Sequence, residues 1–219
     1  MNAIKLISGG IDSYILSRSV EGANLYIDIG QRYAEEEKEA LKRLGVEFEL
    51  LTIRGKSLGE DFFIPNRNLT FAALASMYYH PSIIYMGGVK DDISADESRR
   101  EYRAMSAILS RQSLRNVKVI SPFWRYTKDE IVQNFPYKEE LKWTFSCYTP
   151  IDGKPCGDCP ACLRRTIALE TNGIDSGVVL SHRILEQYEK DIYSLRPKQV
   201  KRFFEYLRTH DICITSRRN

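Results

Sequence analysis

The sequence predicts an α/β fold, a parallel sheet with helices on both faces followed by a small cysteine-rich and helical C-terminal region. Three observations predict it. Short apolar runs alternate with amphipathic ones along residues 3–135, as expected for strands covered on both faces by crossover helices. The first of these runs leads straight into Ser8-Gly9-Gly10-Ile11-Asp12-Ser13, a glycine pair where a strand turns into a helix. Beyond Phe135 the alternation stops, and four of the five cysteines fall within residues 147–162.

Residues 3–7, Ala-Ile-Lys-Leu-Ile, form the first expected strand, and residues 14–20 the helix after it. Gly9 and Gly10 strip the backbone at the junction, so exposed N–H groups and a helix N-terminus together make a cradle for an anion, most often phosphate. The hydroxyls of Ser8 and Ser13 can add hydrogen bonds to phosphate oxygens. Asp12 would repel phosphate unless a cation lies between them, which points to Mg²⁺. The plainer alternative is an ordinary Gly-Gly turn with an Asp-Ser helix cap. The placement between an apolar strand and a helical run favours the phosphate site.

The alternation continues with a strand at 23–29, a charged amphipathic helix at 34–44 and a third strand at 46–53. A helix is expected at 69–79, then a short buried strand at 83–86 ending in Gly87-Gly88, a helix at 95–110 and a fifth strand at 117–120. Residues 128–135 are expected to be helical, with Thr127 as N-cap and Glu130 in the capping-box position. Parallel sheets bind ligands at the carboxyl ends of their strands. Segments 8–13, 28–32 and 87–92 all follow strands and should gather along that edge.

Residues 136–160 carry turn residues and cysteines without a long periodic segment, and helices resume at 161–171, 181–193 and 197–210. The polar tail at 215–219 is expected to fray. The expected division is therefore a nucleotide-binding α/β domain at 1–135 and a metal-binding and helical region at 136–219 packed on it.

Cys147, Cys156, Cys159 and Cys162 give the spacing Cys-x8-Cys-x2-Cys-x2-Cys. Four thiolates can surround one ion tetrahedrally, and two-residue spacings let a tight knuckle present neighbouring sulfurs. Gly157 permits the backbone reversal. Zn²⁺ is the expected ion, an iron–sulfur cluster the alternative, and unrelated buried thiols the third reading. A four-ligand site is closed, so the metal is expected to be structural. Cys213 stands alone as a surface or core thiol.

The chain has 219 residues, 43% hydrophobic and 28% charged, enough for one α/β domain with a sizeable core and unlike a disordered protein. A net charge of +3 is too small to argue for direct nucleic-acid binding. No apolar run approaches the ~20 residues of a membrane span, and no signal peptide is visible. Cytoplasmic residence is the expectation, and there cysteines serve as thiols or metal ligands more often than as disulfides.

The motifs together resemble a family. Ser-Gly-Gly-x-Asp-Ser is similar to the signature loop of the adenine-nucleotide pyrophosphatases, the PP-loop enzymes of the HUP class, which activate a carbonyl oxygen with ATP and release pyrophosphate. Asp28-Ile29-Gly30-Gln31-Arg32, with Glu35 and Glu36 behind it, looks like the second motif of the 7-cyano-7-deazaguanine synthases. Pro65-Asn66-Arg67-Asn68 resembles their Pro-x-Arg-Asn turn before a helix. Ser146-Cys147-Tyr148, the three later cysteines and Arg164-Arg165 resemble their zinc segment in order and spacing. The likeness runs from about residue 4 to residue 170.

The resemblance implies an ATP-dependent C–N ligase acting on 7-carboxy-7-deazaguanine. ATP would adenylate the carboxylate, ammonia would give the amide, and a second ATP would activate the amide oxygen so that loss of AMP leaves the nitrile. By analogy Ser8, Gly9, Gly10, Asp12 and Ser13 would hold the phosphates and Mg²⁺, and the backbone from Asp28 to Gln31 would sit by the adenosine. Arg67 and Asn68 would contact nucleotide or substrate, and Asp92 belongs to the expected acceptor pocket. Lys128 stands where a cation could neutralise phosphate charge in the transition state, the other reading being a solvated lysine in a helix's first turn. Arg99 and Arg100 could face the substrate carboxylate or simply be solvated on a charged helix. The resemblance also implies a homodimer, and Phe203-Phe204-x-Tyr206-Leu207 could pack either on a partner copy or inside the chain.

One stretch departs from the family. After Asp92-Ile93-Ser94 it usually carries Tyr-Pro-Asp-Cys-Arg, whereas this chain has Ala95-Asp96-Glu97-Ser98-Arg99 and is one residue shorter there. The change falls beside the expected acceptor pocket, so an amine other than ammonia, such as one on a protein acceptor, is an alternative nucleophile. A tRNA-modifying enzyme with the same loop would need a broad basic surface. A non-enzymatic nucleotide sensor would not need Asp12 and both serines intact.

Overall fold

The computed structural model describes residues 2–55, 64–92, 97–188, 192, 197–210 and 212 of the chain. Five strands form one fully parallel sheet: β1 (Ala3–Leu6), β2 (Ala23–Asp28), β3 (Glu49–Thr52), β4 (Ile83–Tyr85) and β5 (Lys118–Ile120), in the order β3-β2-β1-β4-β5. Helices α1 (Ile11–Ser19), α2 (Ala34–Arg43), α3 (Arg67–Tyr79), α4 (Arg99–Ser113) and α5 (Lys128–Asn134) flank it. The chain winds outward from β1 in one direction and then, through β4, in the other. The switch point lies between β1 and β4, and doubly wound sheets open a ligand crevice there. The loop after β1 and Gly87 after β4 therefore meet, and a Cβ on Gly87 would lie 3.0 Å from the Cβ of Asp12.

Strand β1 is central and buried, which makes Lys5 anomalous in a run of apolar residues. Its ammonium donates to the carbonyls of Ser17 and Val20 at 2.9 and 3.2 Å, at the C-terminal end of α1. A cation there satisfies carbonyls the helix leaves open. Burial and then the neighbouring Arg18 lower the pKa of the Lys5 ammonium.

Several boundaries differ from the sequence-based expectation. Helix α1 starts at Ile11, three residues before the expected 14, because Gly10 serves as its N-cap. β3 is confined to Glu49–Thr52 after the turn at Gly45, whose φ is +64°. Helix α4 begins at Arg99 and not at 95, because the Ser98 hydroxyl caps it by accepting from the Glu101 N–H at 3.1 Å. Ala95 and Asp96 lie outside the described residues, while Glu97 and Ser98 precede the helix. Thr127 and Glu130 form the expected reciprocal capping box at the start of α5.

Beyond α5 come a short 3₁₀ helix (Lys138–Trp143), the cysteine segment, α6 (Pro160–Glu170), α7 (His182–Gln187) and α8 (Pro197–Thr209). One core cluster joins the two regions, with Ile11, Tyr14, Val132 and Leu141 packed alongside Ala168, Leu169 and Ile174. Arg165 is buried between them, donating to Lys142 O at 2.8 Å, Ser176 O at 2.7 Å and Thr144 Oγ1 at 3.3 Å. Phe203, Tyr206 and Leu207 of α8 are buried within the chain. Cys213 and the tail at 215–219 lie outside the described residues. No described helix is long and apolar enough to cross a membrane.

Candidate active site and metal centre

The loop between β1 and α1 is an open cradle. Tyr14 N–H donates to Gly10 O at 2.9 Å as the first helical hydrogen bond, and Gly10 offers no side-chain cap. The N–H groups of the first turn are thus left for a ligand. Ser8 Oγ lies 3.0 Å from Ser13 Oγ and accepts from Gly10 N–H at 3.4 Å. Gly9 has a separate steric role: a Cβ there would stand 2.9 Å from the Cα and carbonyl oxygen of Glu37, so only glycine lets α2 press against the loop.

A cavity of about 210 Å³ opens over this cradle. Of the residues singled out from sequence, Ser8, Gly10, Asp12, Ser13, Gln31, Arg67, Asn68, Asp92 and Lys128 line it. Lys128 Nζ, from the start of α5, pairs with Asp12 Oδ2 at 2.5 Å. Burial alone would lower the Lys128 pKa, but Asp12 and Asp92 outweigh it and hold the ammonium above its ordinary value. The other carboxylate oxygen, Asp12 Oδ1, is buried and has no hydrogen-bond partner among the described residues. An unpaired carboxylate oxygen beside an anion cradle fits an oxygen-seeking divalent cation such as Mg²⁺. Asp92 accepts from Val89 N–H at 2.7 Å and faces Arg164 at 3.7 Å. Burial, then the nearby Glu97 charge, push its carboxyl up to about 7 against the pull of Lys128.

On the β2 side, the Asp28 carboxylate is buried, does not line the cavity and is fully engaged. It accepts from Arg54 at 2.8 Å, Gly30 N–H at 2.9 Å and Lys38 at 3.0 Å. Arg54 first, opposed by burial and helped by Gly30 and Lys38, holds it well below the usual carboxylate range. Gln31 does line the cavity, with its amide fixed by Ile29 N–H and the Tyr26 hydroxyl, each at 2.9 Å. The same Tyr26 hydroxyl donates to Glu37 Oε2 at 2.8 Å. Burial raises the Glu37 carboxyl to about 7, although Tyr26 and Arg67 pull the other way.

At the start of α3, Arg67 Nη1 donates to the Tyr33 hydroxyl at 3.1 Å. Asn68 is buried with its Nδ2 unpartnered among the described residues. Arg99 and Arg100 are exposed at the start of α4 and do not line the cavity. Glu37, Glu97 and Arg164 also line it: sequence reading set Glu97 in the stretch beside the acceptor pocket and Arg164 in the zinc segment, and gave Glu37 no place there. Glu37 sits in the run Glu35-Glu36-Glu37, which reads as a solvated helix face. Its signal was the helical spacing that turns Glu37 and Ala40 toward the loop.

The four cysteine sulfurs all lie within 4.8 Å of one another, with Cys156 Sγ 4.0 Å from Cys162 Sγ. Tetrahedral Zn–S bonds of about 2.3 Å place sulfurs about 3.8 Å apart, so the cluster fits zinc. Amides of Cys156 and Asp158 donate to Cys147 Sγ and Cys156 Sγ, both at 3.3 Å. These bonds favour thiolates and orient them. Gly157 makes the turn with φ +68°, and a Cβ there would run into the Val179 carbonyl at 2.1 Å. The knuckle also builds the cleft, because Ser146, Cys147, Tyr148, Ala161 and Arg164 form one wall of the cavity.

Residues 53–173 match the family described as Queuosine biosynthesis protein QueC. That stretch contains Arg67, Asn68, Asp92, Lys128 and all four clustered cysteines. The chain is 27% identical to the 7-cyano-7-deazaguanine synthase of Methanococcus aeolicus, over 80% of this chain and 97% of that one. It is 27% identical to the enzyme of the same name from Chlorobaculum tepidum, over 81% and 96%. It is 30% identical to 7-cyano-7-deazaguanine synthase 1 of Desulfitobacterium hafniense, over 76% and 90%.

Proposed function

The chain belongs to the QueC family of queuosine-biosynthesis proteins, and on that premise we propose that it is an ATP-dependent ligase that adenylates 7-carboxy-7-deazaguanine and passes the acyl group to ammonia. The observation that carries the reading is the Lys128–Asp12 pair set against the uncapped N-terminus of α1. Phosphate oxygens would take the free N–H groups of the first turn and the Ser8 and Ser13 hydroxyls. Mg²⁺ held at Asp12 Oδ1 would offset phosphate charge. Lys128 then lies where charge builds as a substrate carboxylate oxygen bonds to the α-phosphorus and pyrophosphate leaves.

Ammonia attacks the acyl carbon of the adenylate. The C–O bond to AMP breaks, and the amine's extra proton is released. The amide oxygen is activated by a second ATP in the same way, and loss of AMP with the remaining amide proton gives the nitrile. Arg67, Asn68 and Asp92 line the cavity, which supports the reading that they hold the heterocycle or its acid group. Gln31 marks the adenosine side. Arg99 and Arg100 are exposed and stand outside the cavity, which supports reading them as solvated. Zinc at the four cysteines would be structural, fixing the wall that carries Tyr148 and Arg164.

The test is incubation of the pure protein with 7-carboxy-7-deazaguanine, ATP, Mg²⁺ and ammonia, followed by chromatography and mass spectrometry. Acid-dependent AMP with an amide or nitrile product is expected. No acid-dependent AMP sinks the proposal. AMP formed with that acid only when a protein amine is supplied assigns a different nucleophile.

A further inference from the structure

Ser146 lies between two fixed points. Phe145 N–H donates to the Gly9 carbonyl at 2.7 Å, and Cys147 is the first sulfur of the metal cluster. A Cβ placed on Gly10 would stand 3.1 Å from Ser146 Oγ and 3.5 Å from Ser8 Oγ. Ser8 Oγ is itself 3.0 Å from Ser13 Oγ. Two hydroxyls therefore flank the glycine that starts α1, Ser8 from the loop and Ser146 from a segment more than a hundred residues later in the chain, and Ser13 adds a third beside Ser8.

Two of these hydroxyls are paired with each other. The Ser146 hydroxyl has no hydrogen-bond partner among the described residues, and Ser146 is only partly exposed and lines the cavity. This hydroxyl and the uncapped first-turn N–H groups of α1 are all donors beside the same cavity. A ligand that accepts from all of them at once is an oxyanion. Gly10 keeps the gap between Ser146 and the loop open, since a side chain there would fill it.

We propose that Ser146 is a phosphate-binding residue of the cleft, a donor hydroxyl that the metal knuckle delivers to the glycine loop. The assignment rests on the nucleotide reading of the site. It ties the two halves of the chain together at one atom, because the same peptide segment holds a cluster sulfur and the hydroxyl.

Isothermal titration of the metal-loaded protein with ATP and Mg²⁺, and separately with adenosine, tests it without any acid substrate. Ser146→Ala should weaken ATP about tenfold, the worth of one hydrogen bond to a charged group, and leave adenosine unchanged. Ser146→Thr and Ser146→Val have the same shape and differ in the hydroxyl, so Thr should bind ATP more tightly than Val whether or not the alanine variant folds. ATP affinity equal in the Thr and Val variants overturns the role of Ser146. Loss of ATP and adenosine affinity in parallel does the same. Wild-type protein that binds no ATP overturns the nucleotide reading itself.

Discussion

Lys128 Nζ stands 2.5 Å from Asp12 Oδ2, joining the first turn of α5 to the first turn of α1 across the mouth of the cleft. The pair has unequal consequences for its members. Lys128 keeps its proton because Asp12 and Asp92 outweigh its burial. Asp12 retains one oxygen with no partner among the described residues. On the proposed reading, the Lys128 cation would offset the charge that builds as pyrophosphate leaves the α-phosphorus. Lys128→Met should therefore lower kcat by about 10²–10³ while ATP still binds, measured as steady-state AMP release. A tenfold loss or less would reduce Lys128 to a structural partner of Asp12.

Glu37 should give stability a pH dependence. Burial raises its folded pKa from 4.5 to about 7, so the folded state binds this proton more tightly than the unfolded chain does. For an acid shifted in that direction, stability is lost as pH rises from the unfolded value through the folded one. Tyr26, Gln31, Arg67 and Tyr33 surround the group, and Arg67 opposes the shift. Glu37→Gln removes the titration, so wild type should lose stability relative to it between about pH 4.5 and pH 7, by about 3 kcal/mol at most. Thermal melts of both proteins across that range check it, and parallel curves would contradict it.

Much of this site was legible because its chemistry is local. Gly9, Gly10 and the flanking serines mark a strand-to-helix turn with an uncapped helix N-terminus within six consecutive residues, and the cysteine spacing marks a cluster of four sulfurs that fits one metal ion. Thr127 and Glu130 declare the start of α5 in the same way. What sequence did not disclose depends on contacts between distant segments. The backbone from Asp28 to Gln31 is expected by the adenosine; of that stretch Gln31 lines the cavity, while Arg54 and Lys38 arrive to occupy the Asp28 carboxylate. Glu37 looked solvated until α2 closed on Gly9. Arg99, read either toward the substrate carboxylate or as solvated, is left outside the cavity because Ser98 caps α4, and α6 brings Arg164 against Asp92.

Gly9→Ala should destabilise the loop from beneath. Its Cβ would meet backbone atoms of Glu37 at 2.9 Å, and backbone in a packed helix cannot yield as a side-chain tip can. Overpacking of this kind costs about 1–3 kcal/mol, or a fall of about 3–10 °C in Tm for a domain of this size. Calorimetry checks it, with weakened ATP binding expected in the same variant. An unchanged Tm would mean that α2 does not press on the loop as described.

Cys159→Ser should separate a structural metal from a catalytic one. Cys159 is fully buried at the centre of the cluster. Bound zinc, measured by native mass spectrometry, should fall from one equivalent to near none, and Tm should drop by about 10 °C or more. ATP affinity should fall as well, because the wall carrying Ser146, Tyr148 and Arg164 is anchored there. Retention of full ATP affinity after zinc loss would show that the knuckle and the cleft are independent.

The most direct measurement uses 7-carboxy-7-deazaguanine labelled with ¹⁸O in its carboxylate. Adenylation bonds a carboxylate oxygen to the α-phosphorus, and attack by ammonia then leaves that oxygen on AMP. The expected result is AMP carrying ¹⁸O, with pyrophosphate unlabelled and, if the nitrile forms, a second labelled AMP from the amide oxygen. Unlabelled AMP, or ADP and labelled phosphate in place of AMP and pyrophosphate, would contradict adenylation at this site.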